Sequence, residues 1–220
     1  IDVIIGGHSH TYVDPPAKVG NTIVCQAGAY ASCVGRLDLD VKDGRAVAFQ
    51  GKLVDLTADT EEDKKIRAAV DEYKKPLERA MKDEIGQTRV FLDGKLSSVR
   101  SGHESNLGRL IAFTMAERCG ADAAIINGGG IRSSINEGTI TLGDVHSVLP
   151  FENTVVKVDM RGEDLLGVLQ QGADLKEGSG GKLQTFGIEF INDGGKIKIW
   201  KVGGRAFVAT DTFSVATNNF

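Results

Sequence analysis

Three consecutive glycines, at residues 128–130, follow Asn127 and an apolar run at residues 121–126. A short apolar run that ends in turn residues is typical of a buried strand, as found in α/β proteins. Glycine has no Cβ, so a ligand can approach the backbone of residues 128–130 closely. Arg132, two residues later, carries a planar, always-charged guanidinium that suits phosphate. The sequence therefore predicts a turn at which backbone and cation meet one anion.

Size and composition predict a globular α/β protein. The chain has 220 residues with 41% hydrophobic content, enough to bury a core in one large domain or two small ones. Its 28 glycines indicate many turns and close backbone approaches. The formal net charge of −4 argues against a surface for nucleic-acid polymers but is compatible with a single bound nucleotide. No apolar run is long enough to predict a transmembrane helix.

The three cysteines, Cys25, Cys33 and Cys119, lack Cys-x-x-Cys spacing. They therefore predict neither a disulfide framework nor a zinc knuckle. Two interpretations are open: three buried thiols, or one bridge between Cys25 and Cys33.

Hydrophobic periodicity divides the chain into three parts. Strands without intervening helices are predicted at residues 1–7, 22–26, 35–41 and 46–56. The chain opens on a buried strand without a start methionine, so we expect it to begin within a domain. Beyond Gln87, helices and strands alternate. The helices are predicted at 106–119 and 162–173, and the strands at 122–126, 155–160, 186–191, 196–201 and 213–216.

A long helix is predicted between these parts, over residues 60–86. Thr60 and Asp63 resemble a capping box, and Gly86 is placed to end the helix. Apolar residues recur every three to four positions, which predicts one narrow buried stripe. Pro76 should kink the helix near Glu72. The helix is either a linker between two bodies or a surface helix of one domain.

Two histidines follow the first predicted strand, in the run Gly7-His8-Ser9-His10. In an extended segment both imidazoles point to the same side, and neutral imidazole is the commonest metal ligand. The pattern is interpreted as part of a metal site or as two surface histidines. A metal site normally takes at least three protein ligands, and only Asp2 and Asp14 lie nearby as carboxylates.

Four motifs, in order and correctly spaced, resemble the 5′-nucleotidase family, which includes bacterial UDP-sugar hydrolases and animal ecto-nucleotidases. They are the histidine run and residues 127–132, 149–153 and 216–220. The resemblance implies an α/β fold in three parts. These are a remnant of a layered metallophosphatase domain at 1–56, a linker helix at 57–86, and a four-layer α/β/β/α-type substrate-binding domain at 87–220, truncated at its end.

The resemblance also implies the site residues. His8 and His10 would be the last metal ligands of the set. The substrate would be bound by Arg100, Asn127, Gly129, Gly130, Arg132, Phe151, Asn153, Gly180 and Phe220. The two arginines would hold the phosphate or the ribose side, and the two phenylalanines would sandwich the base. Because stacking tolerates different bases, the resemblance implies broad nucleotide specificity.

Simpler alternatives exist for the individual residues. Phe151 follows a proline and suits a core aromatic, Phe220 suits a frayed chain end, and Arg100 suits a solvated surface charge. The glycine run suits an ordinary tight turn. The joint occurrence of these residues favours the nucleotide site. His103 and His146 match no family motif and are interpreted as surface or capping residues.

The family's upstream motifs, Asp-x-His and Gly-Asn-His-Asp/Glu, are absent here, and so is the Gly-Gly-Asp-Gly stretch that usually follows the second stacking Phe. We therefore expect no catalytic residue within this chain. The resemblance implies hydrolysis of nucleoside 5′-monophosphates or related nucleotides by the intact protein, with two divalent ions (Zn, Mn, Mg or Co). It also implies a periplasmic, secreted or cell-surface location. The alternatives are a non-catalytic nucleotide-binding module, a UDP-sugar diphosphatase and a 2′,3′-cyclic-nucleotide phosphodiesterase.

Overall fold

The computed structural model describes all 220 residues, in two compact units at Ile1–Asp71 and Glu72–Phe220. The boundary between the units falls inside helix α1 (Lys64–Met81). Each unit has its own sheets. None of the helices is both long enough and apolar enough to cross a bilayer.

The first unit contains five strands. They are β1 (Val3–Ile5), β2 (Tyr12–Val19), β3 (Thr22–Ala27), β4 (Cys33–Lys42) and β5 (Arg45–Asp55). β3 lies between β1, to which it is parallel, and β2, to which it is antiparallel, while β4 and β5 form a hairpin. β2 was not predicted, because Pro15 and Pro16 mask its strand pattern. The prolines are tolerated because the pairing with β3 is interrupted between Val13 and Ala17.

Helix α1 is shorter than predicted. It ends at Met81, and Gly86 lies inside strand β6 (Glu84–Thr88), paired with Ile140, so the prediction that Gly86 ends the helix is wrong. Asp63 alone caps the start, accepting hydrogen bonds from two backbone N–H groups of the first turn. The helix continues through Pro76.

The predicted burial of the helix stripe is also wrong. Helix α1 has no buried residue, and Ile66, Val70, Tyr73 and Leu77 are all at least half exposed. Periodicity shows that these side chains share one face, but it does not show that another element covers that face.

The second unit combines helices with three sheets. Its helices, besides the end of α1, are α2 (Leu96–Val99), α3 (Asn106–Cys119), α4 (Leu142–Val148) and α5 (Gly162–Asp174). Its strands, besides β6, are β7 (Ala123–Asn127), β8 (Gly138–Thr141), β9 (Val155–Arg161), β10 (Leu183–Phe186), β11 (Ile188–Asp193), β12 (Lys196–Val202), β13 (Arg205–Ala206) and β14 (Thr212–Asn218). The main sheet has the order β10-β7-β14-β9; a second has β11-β12-β13, and β6 pairs with β8.

The core is built on the two faces of the main sheet. On one face, Met115 and Ala116 of α3 pack with Ile126 of β7. On the other, Leu165 and Leu169 of α5 form a cluster with residues of β7, β12 and β14. Strand β7 is buried over Ala123–Ile126 because helices cover it on both sides. The mixed α/β fold is the one predicted.

The predicted helices of this unit, 106–119 and 162–173, are confirmed. The predicted strand at 186–191 is wrong in one respect, since Gly187 divides it into β10 and β11. Gly187 has a φ of 77°, and a Cβ there would lie 2.5 Å from the carbonyl oxygen of Asp122. A change of direction there needs glycine. α2, α4, β6, β8, β10 and β13 were not predicted.

All three cysteines are free thiols, so the interpretation of a Cys25–Cys33 bridge is wrong. Only Cys33 is buried, and its thiol donates a hydrogen bond to the Ala27 carbonyl at 3.3 Å. Cys25 and Cys119 are half-buried.

Asp122, which directly precedes β7, accepts hydrogen bonds from Ser214 of β14 and from Arg205. Its Oδ2 accepts hydrogen bonds from the Ser214 backbone N–H at 2.8 Å, the Ser214 hydroxyl at 2.9 Å and Arg205 Nη2 at 3.2 Å. Burial alone would raise the pKa of Asp122, but the Ser214 hydrogen bonds and the Arg205 charge outweigh it, so the pKa is lowered. The folded state therefore favours the ionised carboxylate.

Asp122→Asn should reduce the free energy of unfolding by about 1–2 kcal/mol at pH 7, because charge-assisted hydrogen bonds are lost. A lowered pKa in the folded state stabilises the protein above the unfolded pKa of about 3.9, and this contribution is lost as the pH falls through the folded value. The difference between wild type and variant, measured by urea denaturation, should therefore shrink below about pH 4. An equal difference at neutral and acid pH would contradict this assignment.

Candidate functional site

The glycine turn, Gly128–Gly130, follows strand β7 and forms one 3₁₀ turn. Its backbone is held by the segment before β10. Gly128 N–H donates to the Lys182 carbonyl at 2.6 Å, and Gly129 N–H donates to the Gly180 carbonyl at 2.8 Å. The turn and residues 180–182 therefore form one double-layered loop at the end of β7.

Two of the three glycines are required by this packing. A Cβ on Gly128 would overlap with the Val99 carbonyl oxygen, and a Cβ on Gly129 would lie 2.9 Å from the Gly180 carbonyl oxygen. Both neighbours are backbone atoms that cannot swing away. The sequence analysis predicted that these glycines let a ligand approach the backbone. The structure shows that the missing Cβ of Gly128 and Gly129 lets two backbone segments lie against each other.

Both predicted arginines lie at this double loop. Arg132 Nη1 donates to the Gly129 carbonyl at 3.3 Å, and its backbone N–H donates to the Val148 carbonyl at 2.9 Å. Arg100 follows α2, and its guanidinium carbon lies 3.9 Å from the Cβ position of Gly180. The two guanidinium groups therefore approach the Gly129–Gly180 pair, although their residues are far apart in sequence.

Asn127 stabilises the turn from its start. Its Oδ1 accepts a hydrogen bond from Asn218 Nδ2 at 3.2 Å, which links β7 to the end of β14. The same oxygen lies 3.3 Å from the Cβ position of Gly130. Asn127 thus orients the turn and presents its amide beside Gly130.

A small cavity of about 100 Å³ adjoins the turn. Gly130, Phe151, Asn153 and Asn218 line its rim, with Met115 and Ile126 toward the core. Phe151 is 52% exposed, so the alternative that it is a core aromatic is wrong. Phe151 and Asn153 thus share one cavity with a glycine of the turn.

Phe220 lies at the end of the chain and is 91% exposed. The antiparallel pairing of β9 and β14 continues to Asn219, whose backbone N–H donates to the Thr154 carbonyl at 3.1 Å and whose side chain accepts from Thr154 N–H at 2.9 Å. This pairing places Phe220 beside the segment that carries Phe151 and Asn153. The structure contains no direct stacking between the two phenylalanine rings.

Comparison with known proteins identifies the family of this chain. Residues 84–220, more than half of the chain, match the model of the 5′-nucleotidase, C-terminal domain. This chain belongs to that family. The match begins at β6.

Similar full-length proteins are larger than this 5′-nucleotidase family chain. It is 40% identical over 242 residues to the trifunctional nucleotide phosphoesterase protein YfkN of Bacillus subtilis, covering 100% of this chain and 16% of YfkN. It is 33% identical to the snake venom 5′-nucleotidase of Crotalus adamanteus, covering 88% of this chain and 38% of that protein. The chain thus spans less than half the length of these relatives.

A solved structure supports the fold. The 5′-nucleotidase precursor from Thermus thermophilus superposes with a TM-score of 0.75 at 30% identity, covering 99% of this chain and 49% of that one. The similarity extends over both units of the 5′-nucleotidase family chain.

The predicted metal ligands, His8 and His10, do not complete a site within this chain. The backbone N–H of His10 donates to the Gly7 carbonyl at 2.9 Å, and His10 has a φ of 57°. The segment is therefore a turn, and the expected extended geometry is wrong. The His10 ring meets Tyr30 edge-on at 5.5 Å between centroids. No group of three His, Cys, Asp or Glu residues is placed to hold a metal ion. His8 and His10 therefore have no third protein ligand placed beside them in this structure.

Sequence reasoning missed two features near Arg100. An open cleft of about 530 Å³ is lined by residues that include Asp93, Ser98, Ser101 and His103. A 2.7 Å hydrogen bond from Ser98 Oγ lowers the pKa of Asp93. The serine-rich segment 97–105 was the only sequence signal for this cleft. His103 and His146 are exposed, as interpreted from sequence.

The second missed feature is a pair of buried polar side chains, Lys182 and Gln184, at 7% and 1% exposure. Lys182 Nζ donates to the Ala173 carbonyl at 2.9 Å, near the end of α5, where a cation is favoured by the helix dipole. No sequence motif distinguishes these residues from ordinary surface-facing polar residues of a strand.

Proposed function

We propose that this chain is the substrate-binding part of a metal-dependent phosphohydrolase that acts on nucleoside 5′-monophosphates or related nucleotides. The observation that carries the proposal is the approach of Arg100 and Arg132 to the glycine turn and Gly180. Two guanidinium forks beside one loop suit a phosphate, and the exposed ring of Phe151 on the neighbouring cavity suits a base. Family membership supports the same reaction class.

The chemistry is divided between this chain and the rest of the intact protein. Two divalent metal ions, when bound, would activate a water and stabilise the leaving oxygen. His8 and His10 offer two imidazoles, so the other metal ligands and the catalytic groups would come from outside this chain. The residues of this chain bind and orient the nucleotide, and the arginines offset negative charge on the phosphate.

A second candidate is a nucleotide-binding module without catalytic activity. The absence of a three-ligand cluster favours this interpretation for the chain on its own. Phosphate release from AMP by the intact protein with added Mn²⁺ or Zn²⁺ decides between them. Measurable release would exclude the module, whereas AMP binding without release by the intact protein would support it.

The nucleotide range and the location are further parts of the proposal. One relative is named a trifunctional nucleotide phosphoesterase, which supports related nucleotides as substrates. UDP-sugars and cyclic nucleotides are the alternatives that the family resemblance implies. Another relative is named a venom enzyme, which supports a secreted, periplasmic or cell-surface location. Phosphate release by the intact protein from AMP, a UDP-sugar and a 2′,3′-cyclic nucleotide would rank these substrates.

Phe151→Ala should weaken the binding of both AMP and adenosine to this chain by roughly 5- to 100-fold, because stacking contributes about 1–3 kcal/mol per base. Isothermal titration measures both affinities. Phe190→Ala is the matched control, since Phe190 lies on β11, outside the cavity, and is also partly exposed. If the wild-type chain binds both ligands and Phe151→Ala binds them with the same affinities, the base does not bind at Phe151.

A further inference from the structure

We infer that Gln184 is a positioning residue that holds Arg100 in the geometry needed to bind the nucleotide's anionic group. The inference rests on the proposed function, because it assigns Arg100 to substrate. Gln184 lies on β10 and pairs with Ile126 of β7. Only Asn127 separates Ile126 from the glycine turn. Its side chain points into the second unit and is 1% exposed.

The amide of Gln184 binds both ends of the Arg100 loop, defined as residues 99–105. Nε2 donates to the Val99 carbonyl at 3.2 Å and to the His103 carbonyl at 2.8 Å. Oε1 accepts from the Ser105 N–H at 2.8 Å. One side chain therefore satisfies three backbone groups of the loop, and Arg100 lies between them.

The surrounding structure leaves the amide little freedom to move. A Cβ on Gly108, in the first turn of α3, would overlap with Gln184 Oε1, so the helix lies directly against the amide. Ser105 also caps α3, accepting from Gly108 N–H at 2.9 Å. The Arg100 carbonyl in turn accepts from Gly178 N–H at 3.0 Å. The Arg100 loop is thus held by one buried side chain and one neighbouring loop.

Only a primary amide supplies this set of bonds. A carbonyl oxygen and an NH₂ group provide one acceptor and two donors on one planar group. Methionine fills a similar volume but leaves two carbonyls and one N–H without their partner. An ionised glutamate keeps the acceptor and places negative charge against two carbonyl oxygens. Either change should release the Arg100 loop without touching the substrate.

Affinity of this chain for AMP, measured by isothermal titration, tests the inference through a double-mutant cycle. Gln184→Met should weaken binding about fivefold or more, because a misplaced arginine forms poorer charged hydrogen bonds. In the background of Arg100→Ala, Gln184→Met should have almost no further effect, since its action passes through Arg100. Combined with Phe151→Ala, its effect should add, since that ring is carried by a different loop.

Gln184→Glu keeps the shape of the side chain and replaces Gln184→Met if the latter does not fold, as judged by near-ultraviolet circular dichroism. It should show the same coupling to Arg100. If the wild-type chain binds AMP and the effects of the Gln184 and Arg100 variants are additive, the positioning role is overturned and the proposed function is not. A wild-type chain that does not bind AMP would instead overturn the proposed function on which the role rests.

Discussion

Gly128→Ala should cost about 3 kcal/mol or more in the free energy of unfolding, near the upper end of the range for overpacking. The added methyl group would meet the Val99 carbonyl oxygen and lie 3.2 Å from the Lys182 carbonyl oxygen. Both atoms belong to backbone that is fixed by α2 and by the pairing of β10, so neither can move without disturbing the sheet. Urea denaturation of this chain measures the effect.

Gly130→Ala is the matched control in the same turn. A Cβ there meets only the Asn127 side chain, with the nearest atom at 3.3 Å. We expect a loss of less than about 1 kcal/mol, because a small shift of that amide relieves the contact. Equal stability losses in the two variants would show that the turn is not held against Val99 in the way described.

Arg132→Ala should weaken AMP binding to this chain by roughly 10- to 100-fold. A hydrogen bond to a charged group contributes about 1.5–3 kcal/mol, and each 1.4 kcal/mol corresponds to a factor of ten. The contact of Arg132 with the Gly129 carbonyl places its guanidinium at the glycine turn, where the phosphate is proposed to bind. Adenosine, which has no phosphate, should lose much less affinity.

Two further variants sharpen this result. Arg132→Lys keeps the charge but lacks the planar fork, so only part of the affinity should return. Arg89→Ala removes an exposed arginine outside the site and should leave AMP binding unchanged. If Arg132→Ala bound AMP as well as the wild type does, the phosphate site would not lie at the glycine turn.

Local sequence signals predicted an element accurately where one face of that element packs against a neighbouring element. Helix α3 begins and ends at the predicted residues because Ser105 caps its start and Gly120, with a φ of 56°, ends it. Helix α1 shows the limit, since its apolar stripe is exposed in this chain. Periodicity reports which side chains share a face, and burial depends on the rest of the fold.

The candidate site shows the same division. The glycine run and Arg132 were predicted from residue types that suit phosphate, whereas Arg100 and Phe151 were predicted from the family resemblance. Gln184 was not, since a glutamine in a short strand resembles many surface residues. Its importance arises from three backbone groups that are distant in sequence and meet only in the folded chain.

The sequence by itself determined the α/β class and the main helices, because these depend on local propensity and periodicity. It also predicted the chemical character of the candidate site from its side chains. The tertiary structure alone decided that Gly128 and Gly129 lie against backbone, that Arg100 and Arg132 approach the same loop, and that His10 lies in a turn and not in an extended segment. The physical reason is that distances between segments depend on strand pairing and packing. Those interactions join residues that are far apart along the chain.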